Sequence, residues 1–160
     1  MPGETFHLRA PDPRLGAERT RTLALVRAAV GAEAEVLEVG STAVTGVIGK
    51  GDIDWLVRAP AGRFAEVRAR LDVAFARNPD QLSTDIYQGY LVDSPLDVAI
   101  QCTVRGGPFD DFEPFLVALR TDPALITAYN ALKRRFDGRS MDDYRAAKRA
   151  FIEDVLGGGA

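Results

Sequence analysis

Between Arg14 and Val30 the apolar residues Leu15, Leu23, Val26 and Val30 recur at roughly helical spacing, which predicts a helix with Gly31 as its stop. The period then changes. Glu35 to Val39 alternates and predicts a strand, and Asp52 to Arg58 (DIDWLVR) predicts a second. Between them Gly40 to Gly51 is a small-residue loop or short helical turn. Pro60 opens a helix with Phe64, Val67, Leu71 and Phe75 on one side, ended by Asn78-Pro79-Asp80. Ile86–Val92 and Leu96–Val104 are strand-like and flank Asp93-Ser94-Pro95, a turn signal, so they predict an antiparallel hairpin.

The last third returns to the helical period. One helix is expected over Asp110–Arg120. Another runs over Pro123–Phe136, with Leu125, Tyr129, Leu132 and Phe136 aligned. Ser140 with Asp143 resembles a capping box for a final helix whose apolar face is Tyr144, Ala147, Phe151 and Val155. Residues 1–13 read as an irregular arm and 157–160 as a flexible tail. The order is helix, two strands, helix, hairpin, three helices. It predicts a single α+β domain over residues 1–160, with a small mixed sheet backed by helices and a C-terminal helical segment.

Composition adds limits. At 160 residues the chain is long enough for one sizeable core. Its net charge of −3 weakly disfavours a large nucleic-acid partner, because phosphate contacts need clustered Lys and Arg. Cys102 is the single cysteine, so no intrachain disulfide forms and a reduced, cytoplasmic setting fits best. There is no signal-like or membrane-spanning run, so no membrane role is expected.

The stretch "VGSTAVTGVIGKGDIDW", Val39 to Trp55, holds the candidate chemistry. On a strand Asp52 and Asp54 share one face, while Ile53 and Trp55 point into the core. Two neighbouring carboxylates repel each other, and a divalent cation relieves the repulsion. Asp97, in the apolar run "PLDVAIQC", would join them if its strand lies alongside. The plainer reading is three carboxylates on the wet face of a one-sided sheet. Gly40 lets backbone approach a ligand, and Ser41 offers a hydroxyl and an amide to a phosphate; a simple turn would look the same. Lys50 either neutralises phosphate or is solvated. A Walker A loop is excluded, since Val44 and Gly51 stand where its Gly and Ser/Thr belong.

A strand ending in Gly-Ser, a loop of about a dozen residues, Asp-x-Asp and a third strand Asp together resemble the DNA polymerase beta-like nucleotidyltransferase superfamily. The longer run resembles the core motif of the GrpB-like family within it. "DPRL", "YNALKRRF" and "DDYRAAKRAFIEDVL" resemble that family's flanking helices, so the likeness extends from about Asp12 to Leu156. The chain departs from the family at Thr45 and Gly51, where Pro is usual, at Asp52, where an aliphatic residue is common, and at Asp97, within a strand often rich in His.

The resemblance implies a nucleotidyltransferase-like fold. It also implies Mg²⁺, or Mn²⁺, held by Asp52, Asp54 and Asp97, with Asp97 helping to deprotonate an acceptor hydroxyl. A nucleoside triphosphate would lie on Gly40, Ser41, Thr42 and Lys50. Lys133 and Lys148, which match family lysines, would reach its phosphates, though each also fits a solvated helix face. The acceptor, small or macromolecular, is left open. A catalytically inactive nucleotide- or phospho-ligand-binding module is the alternative, and an interaction protein a third. His7 reads as non-catalytic. Cys102 and Trp55 read as core, Tyr87 and Tyr90 as sheet packing, and Phe109, Phe112 and Phe115 as helix packing.

Overall fold

A computed structural model describes residues 3–110 and 112–157. Its central sheet has the order β1-β2-β6-β5-β3, with β4 pairing β5. The strands are β1 (Glu35–Val39), β2 (Ile53–Ala59), β3 (Ala76–Arg77), β4 (Ser83–Thr84), β5 (Tyr87–Val92) and β6 (Val98–Val104). β2 runs antiparallel to β1 and parallel to β6, while β5 and β6 form the expected antiparallel hairpin. This is an α+β arrangement with a mixed sheet, as expected.

The alternation along β2 divides the molecule. Ile53, Trp55 and Val57 pack under α1 (Leu15–Val30) and α2 (Phe64–Ala74), with Val26, Val67, Leu71, Tyr90 and Ile100. Leu56 faces the other way, toward α3 (Phe112–Thr121), α4 (Pro123–Phe136) and α5 (Met141–Gly157), and packs with Val39, Phe115, Leu119, Tyr129 and Tyr144. Strand periodicity thus gives two separate cores on two sheet faces. Local signals set the helix ends. Gly31, at φ +59°, closes α1. The Asp122 carboxylate accepts from Ala124 N–H at 3.0 Å beside Pro123. Ser140 Oγ accepts from Asp143 N–H at 3.1 Å.

Several expectations change. The second helix ends at Ala74, and Phe75 turns extended so that Ala76–Arg77 can pair with Tyr90 and Leu91 as an edge strand. The third helix begins at Phe112, and Phe109 lies in the preceding loop, tilted against Tyr87 at 5.3 Å. The arm is irregular but anchored: Phe6 is buried and stacks on Tyr144 at 3.8 Å. Its Arg9 N–H donates to the Gly49 carbonyl at 3.0 Å. Of the expected tail, residues 158–160 lie outside the described residues. No described helix is long and apolar enough to cross a membrane.

Candidate functional site

The site sits where β1 ends, β2 begins, and α4 and α5 lean over the sheet. Gly40 leaves β1 at φ +83°, a conformation that favours glycine, and a Cβ there would collide with Asp54 Oδ2. The chain then makes a single helical turn, Ser41–Ala43. The loop returns at Gly49, where a Cβ would strike the Ser41 hydroxyl and stand 3.6 Å from Lys133 Nζ. Two glycines therefore let Asp54, Ser41 and Lys133 meet across one loop. Gly40 stands out in the sequence beside Ser41, whereas Gly49 is one more small residue in a glycine-rich run and only the fold shows its role.

Asp54 lies on β2, paired with Val39 on one side and Ala99 on the other. Burial pushes its carboxyl well above the usual range, and the charge of Asp52 adds to that; Lys148 and Lys50 act in the opposite direction. Asp52 stands just before the strand and not within it. Its carboxylate is 3.6 Å from Lys50 Nζ. Lys133, on α4, is only 3% exposed. Burial, then the charge of Lys148, bring its ammonium down to about 7, against the pull of Asp52 and Asp54. Its Nζ lies 4.5 Å from the centroid of the Tyr129 ring. Lys148, on α5, is lowered chiefly by burial and held up by Asp54 and Asp52.

The remaining sequence candidates fall elsewhere. The Thr42 hydroxyl donates to the Asp52 carbonyl at 2.8 Å and lies 3.2 Å from Glu38 Oε1, so it is engaged in the loop. Arg19 holds Glu38 and the Thr42 carbonyl from α1 and buttresses the same loop. Asp97 is exposed and precedes β6. The turn closed by Leu96 N–H donating to Ser94 Oγ runs on to it, and only its carbonyl joins the sheet, accepting from Ile53 N–H at 2.8 Å. Among the described residues no three His, Cys, Asp or Glu side chains gather as a metal cage. Two carboxylates do suit Mg²⁺ that arrives on a polyphosphate, since that ion keeps waters and shares phosphate oxygens with one or two carboxylates. His7 is exposed, 3.8 Å from Asp137, and Cys102 and Trp55 are core.

The sequence pattern that defines the GrpB protein family matches residues 5–157. The chain belongs to the GrpB family. A UPF0157 protein of Vibrio cholerae is 35% identical over 127 residues, covering 78% of this chain and 67% of that one. The crystal structure of the conserved protein GrpB from Enterococcus faecalis superposes with a TM-score of 0.70 at 18% identity, covering 94% of this chain and 98% of that one. The Cid1 poly(U) polymerase bound to MgATP superposes with a TM-score of 0.54 at 12% identity, over 79% of this chain and 42% of that one. At such identities the likeness is one of fold. It relates this GrpB-family chain to the nucleotidyltransferase-like fold.

Proposed function

We propose that this chain binds a nucleoside triphosphate with Mg²⁺ at the Gly40–Ser41 turn and transfers its nucleotidyl group to a hydroxyl acceptor. One observation carries the reading. Lys133 is buried, close to the Ser41 hydroxyl loop, and in no ion pair among the described residues, beside a carboxylate pair and two further lysines. An unpaired buried ammonium is costly by itself. A polyphosphate supplies the missing negative charge, and a divalent ion brought with it satisfies Asp52 and Asp54. Both deficits are removed by one ligand.

In the reaction the acceptor oxygen bonds to the α-phosphorus as the bond from that phosphorus to the pyrophosphate oxygen breaks, and the hydroxyl proton passes to water. Gly40 and Ser41 position the phosphates, Lys133, Lys148 and Lys50 neutralise them, and Asp52 and Asp54 orient the metal-bearing end. Bound Mg²⁺ would stabilise the charge that develops on the phosphate oxygens. The protein's work is positioning and charge neutralisation.

The second reading is a module that binds the same ligand without turnover, and the exposed position of Asp97 outside the carboxylate pair favours it. Calorimetric titration of ATP, GTP, CTP and UTP, with and without Mg²⁺, against the wild type and Asp54→Asn tests the site. Mg²⁺-dependent binding lost in the variant is expected. Binding unchanged by Asp54→Asn would remove the carboxylates from the site. Nucleotide recovered intact after long incubation with a panel of hydroxyl acceptors would select the second reading.

A further inference from the structure

A cavity of about 270 Å³ is lined by Gln101 and Tyr87, on the same sheet face as Asp54. The register fixes its place. Asp54 pairs with Ala99, and Gln101 lies two residues further along β6, facing the same way. Gly89 and Tyr87 of β5 extend this face beyond Gln101. By strand geometry Gln101 is about 8 Å from Asp54, one strand across and two residues along. The walls include Tyr87, Phe109, Phe112 and Pro108, and among the described residues none that lines them is charged. Gly89 makes room for the Gln81 side chain to lie flat over the sheet, since a Cβ there would meet Gln81 Cβ and Cγ at 2.9 Å. The Tyr87 hydroxyl donates to Gln81 Oε1 at 2.7 Å, which leaves the Gln81 amide N–H₂ as a donor. Burial raises the Tyr87 phenol to about 12, with the charge of Asp54 as the next cause.

Aromatic walls and two carboxamides, with no cation among the described lining residues, suit a neutral planar ring that exchanges hydrogen bonds with amides. They do not suit a phosphate. The volume fits one small ring system and not a folded chain. The strand order adds direction: Gly40 ends β1, on one side of Asp54, whereas the cavity lies over β6 and β5 on the other. Phosphoryl transfer needs the attacking and leaving oxygens roughly in line on opposite sides of the phosphorus. We infer that the cavity bounded by Tyr87, Gln101 and Phe109 binds the acceptor, a small uncharged ring compound whose hydroxyl is presented toward Asp54. This rests on the nucleotidyltransferase reading for its role but not for its location. The hydroxyl oxygen gains the bond to the α-phosphorus, pyrophosphate leaves toward the lysine side, and the proton goes to water.

The test uses two probes, 4-(hydroxymethyl)benzamide and uridine, titrated into ¹⁵N-labelled full-length protein and followed by NMR. Saturable shifts are expected at the Gln101 and Gln81 side-chain amides and at Gly89. Affinity should weaken about tenfold in Gln101→Leu, the worth of one hydrogen bond left unmade. Phe109→Ala, in a loop outside the sheet, provides a second variant should the first perturb the fold, which spectral overlay would reveal. Shifts confined to the Gly40–Ser41 loop would make the probes occupants of the nucleotide site and overturn the proposal. So would the absence of saturable shifts up to the solubility limit, or equal perturbation of these amides by inorganic phosphate. A parallel Mg–ATP titration of the wild type judges the nucleotide site separately. Probe binding at Gln101 without ATP binding would uphold the pocket while removing the transferase reading.

Discussion

The two faces of β2 were made by one alternation but given different work. Toward α1 and α2 the strand presents Ile53, Trp55 and Val57, all buried, and the Trp55 indole is satisfied: its Nε1–H donates to Thr22 Oγ1 at 2.9 Å. Toward α4 and α5 it presents Asp54, then Leu56, then Arg58. Arg58 is well partnered by Asp110 at 2.8 Å and Glu113 at 2.9 Å, while Asp54 faces a carboxylate neighbour and a buried lysine. The first face settles its polar groups internally. The second brings charges of both signs together at one end and leaves buried Lys133 in no ion pair among the described residues, an arrangement expected of a candidate binding site and not of a core.

The sharpest way to break this comparison is on the settled face. Trp55→Ala should destabilise the chain by about 3–5 kcal/mol, chiefly through the cavity, while the Thr22 hydroxyl keeps its bond to the Glu18 carbonyl; the readout is a fall in the urea midpoint at unchanged slope. A loss under about 1 kcal/mol would mean that this face is not the main core.

Next in size is Gly40→Ala. The substituent enters a left-handed backbone and meets Asp54 Oδ2, so about 2–3 kcal/mol of stability should go, together with Mg–nucleotide binding. Gly62 also has a positive φ, +84°, but nothing stands within 4 Å of its Cβ position. Gly62→Ala should therefore lose only the smaller backbone strain and leave binding intact. Equal effects of the two on binding would dissolve the special status of the Gly40–Asp54 contact.

Lys133→Met should do the reverse to stability. The folded-state ammonium releases its proton at about 7, whereas the unfolded one does so near 10.5. Between these values the unfolded chain holds the extra proton, so stability rises with pH across the window and the full penalty applies below it. Removing the charge should raise stability at pH 7 and below by about 1–4 kcal/mol, flatten that part of the pH profile, and weaken triphosphate binding. Wild-type affinity should fall as pH climbs past 7, because the ligand needs the charged amine. Denaturation at pH 6, 7 and 9 beside titrations at the same pH checks both. A destabilised Lys133→Met would show that the amine already has an internal partner.

Much of the architecture was written in periodicity. The change from helical spacing before Val30 to alternation at Glu35–Val39, and the Pro123 and Ser140 starts, follow local rules that tertiary context did not override. The two-residue strands β3 and β4 escaped, since two residues carry no period and their pairing depends on where β5 happens to lie. At the site, Gly40, Ser41 and the carboxylate pair were visible as a local motif. Gly49 and the burial of Lys133 were not, because they depend on α4 folding back across a loop some 80 residues earlier. Asp97 misled for a related reason: an aspartate inside an apolar run looks like a strand position, but the Ser94 turn extends through it and β6 begins one residue later.

The smallest effect separates loop from ligand at Thr42. Its neighbours Gly40 and Ser41 line the site, and the motif alone suggests that its hydroxyl holds phosphate. In the fold that hydroxyl is committed to the Asp52 carbonyl at 2.8 Å, with the Glu38 carboxylate at 3.2 Å. Thr42→Val keeps the shape and removes the donor, so stability should drop by about 1 kcal/mol, the usual worth of such a bond. Thr42→Ser should restore it. Mg–nucleotide affinity should change by only about two- to threefold, through slackening of the backbone that carries Asp52. A loss of tenfold or more with stability intact would instead put the Thr42 hydroxyl on the phosphate and shift the line between the supporting loop and the binding site by one residue.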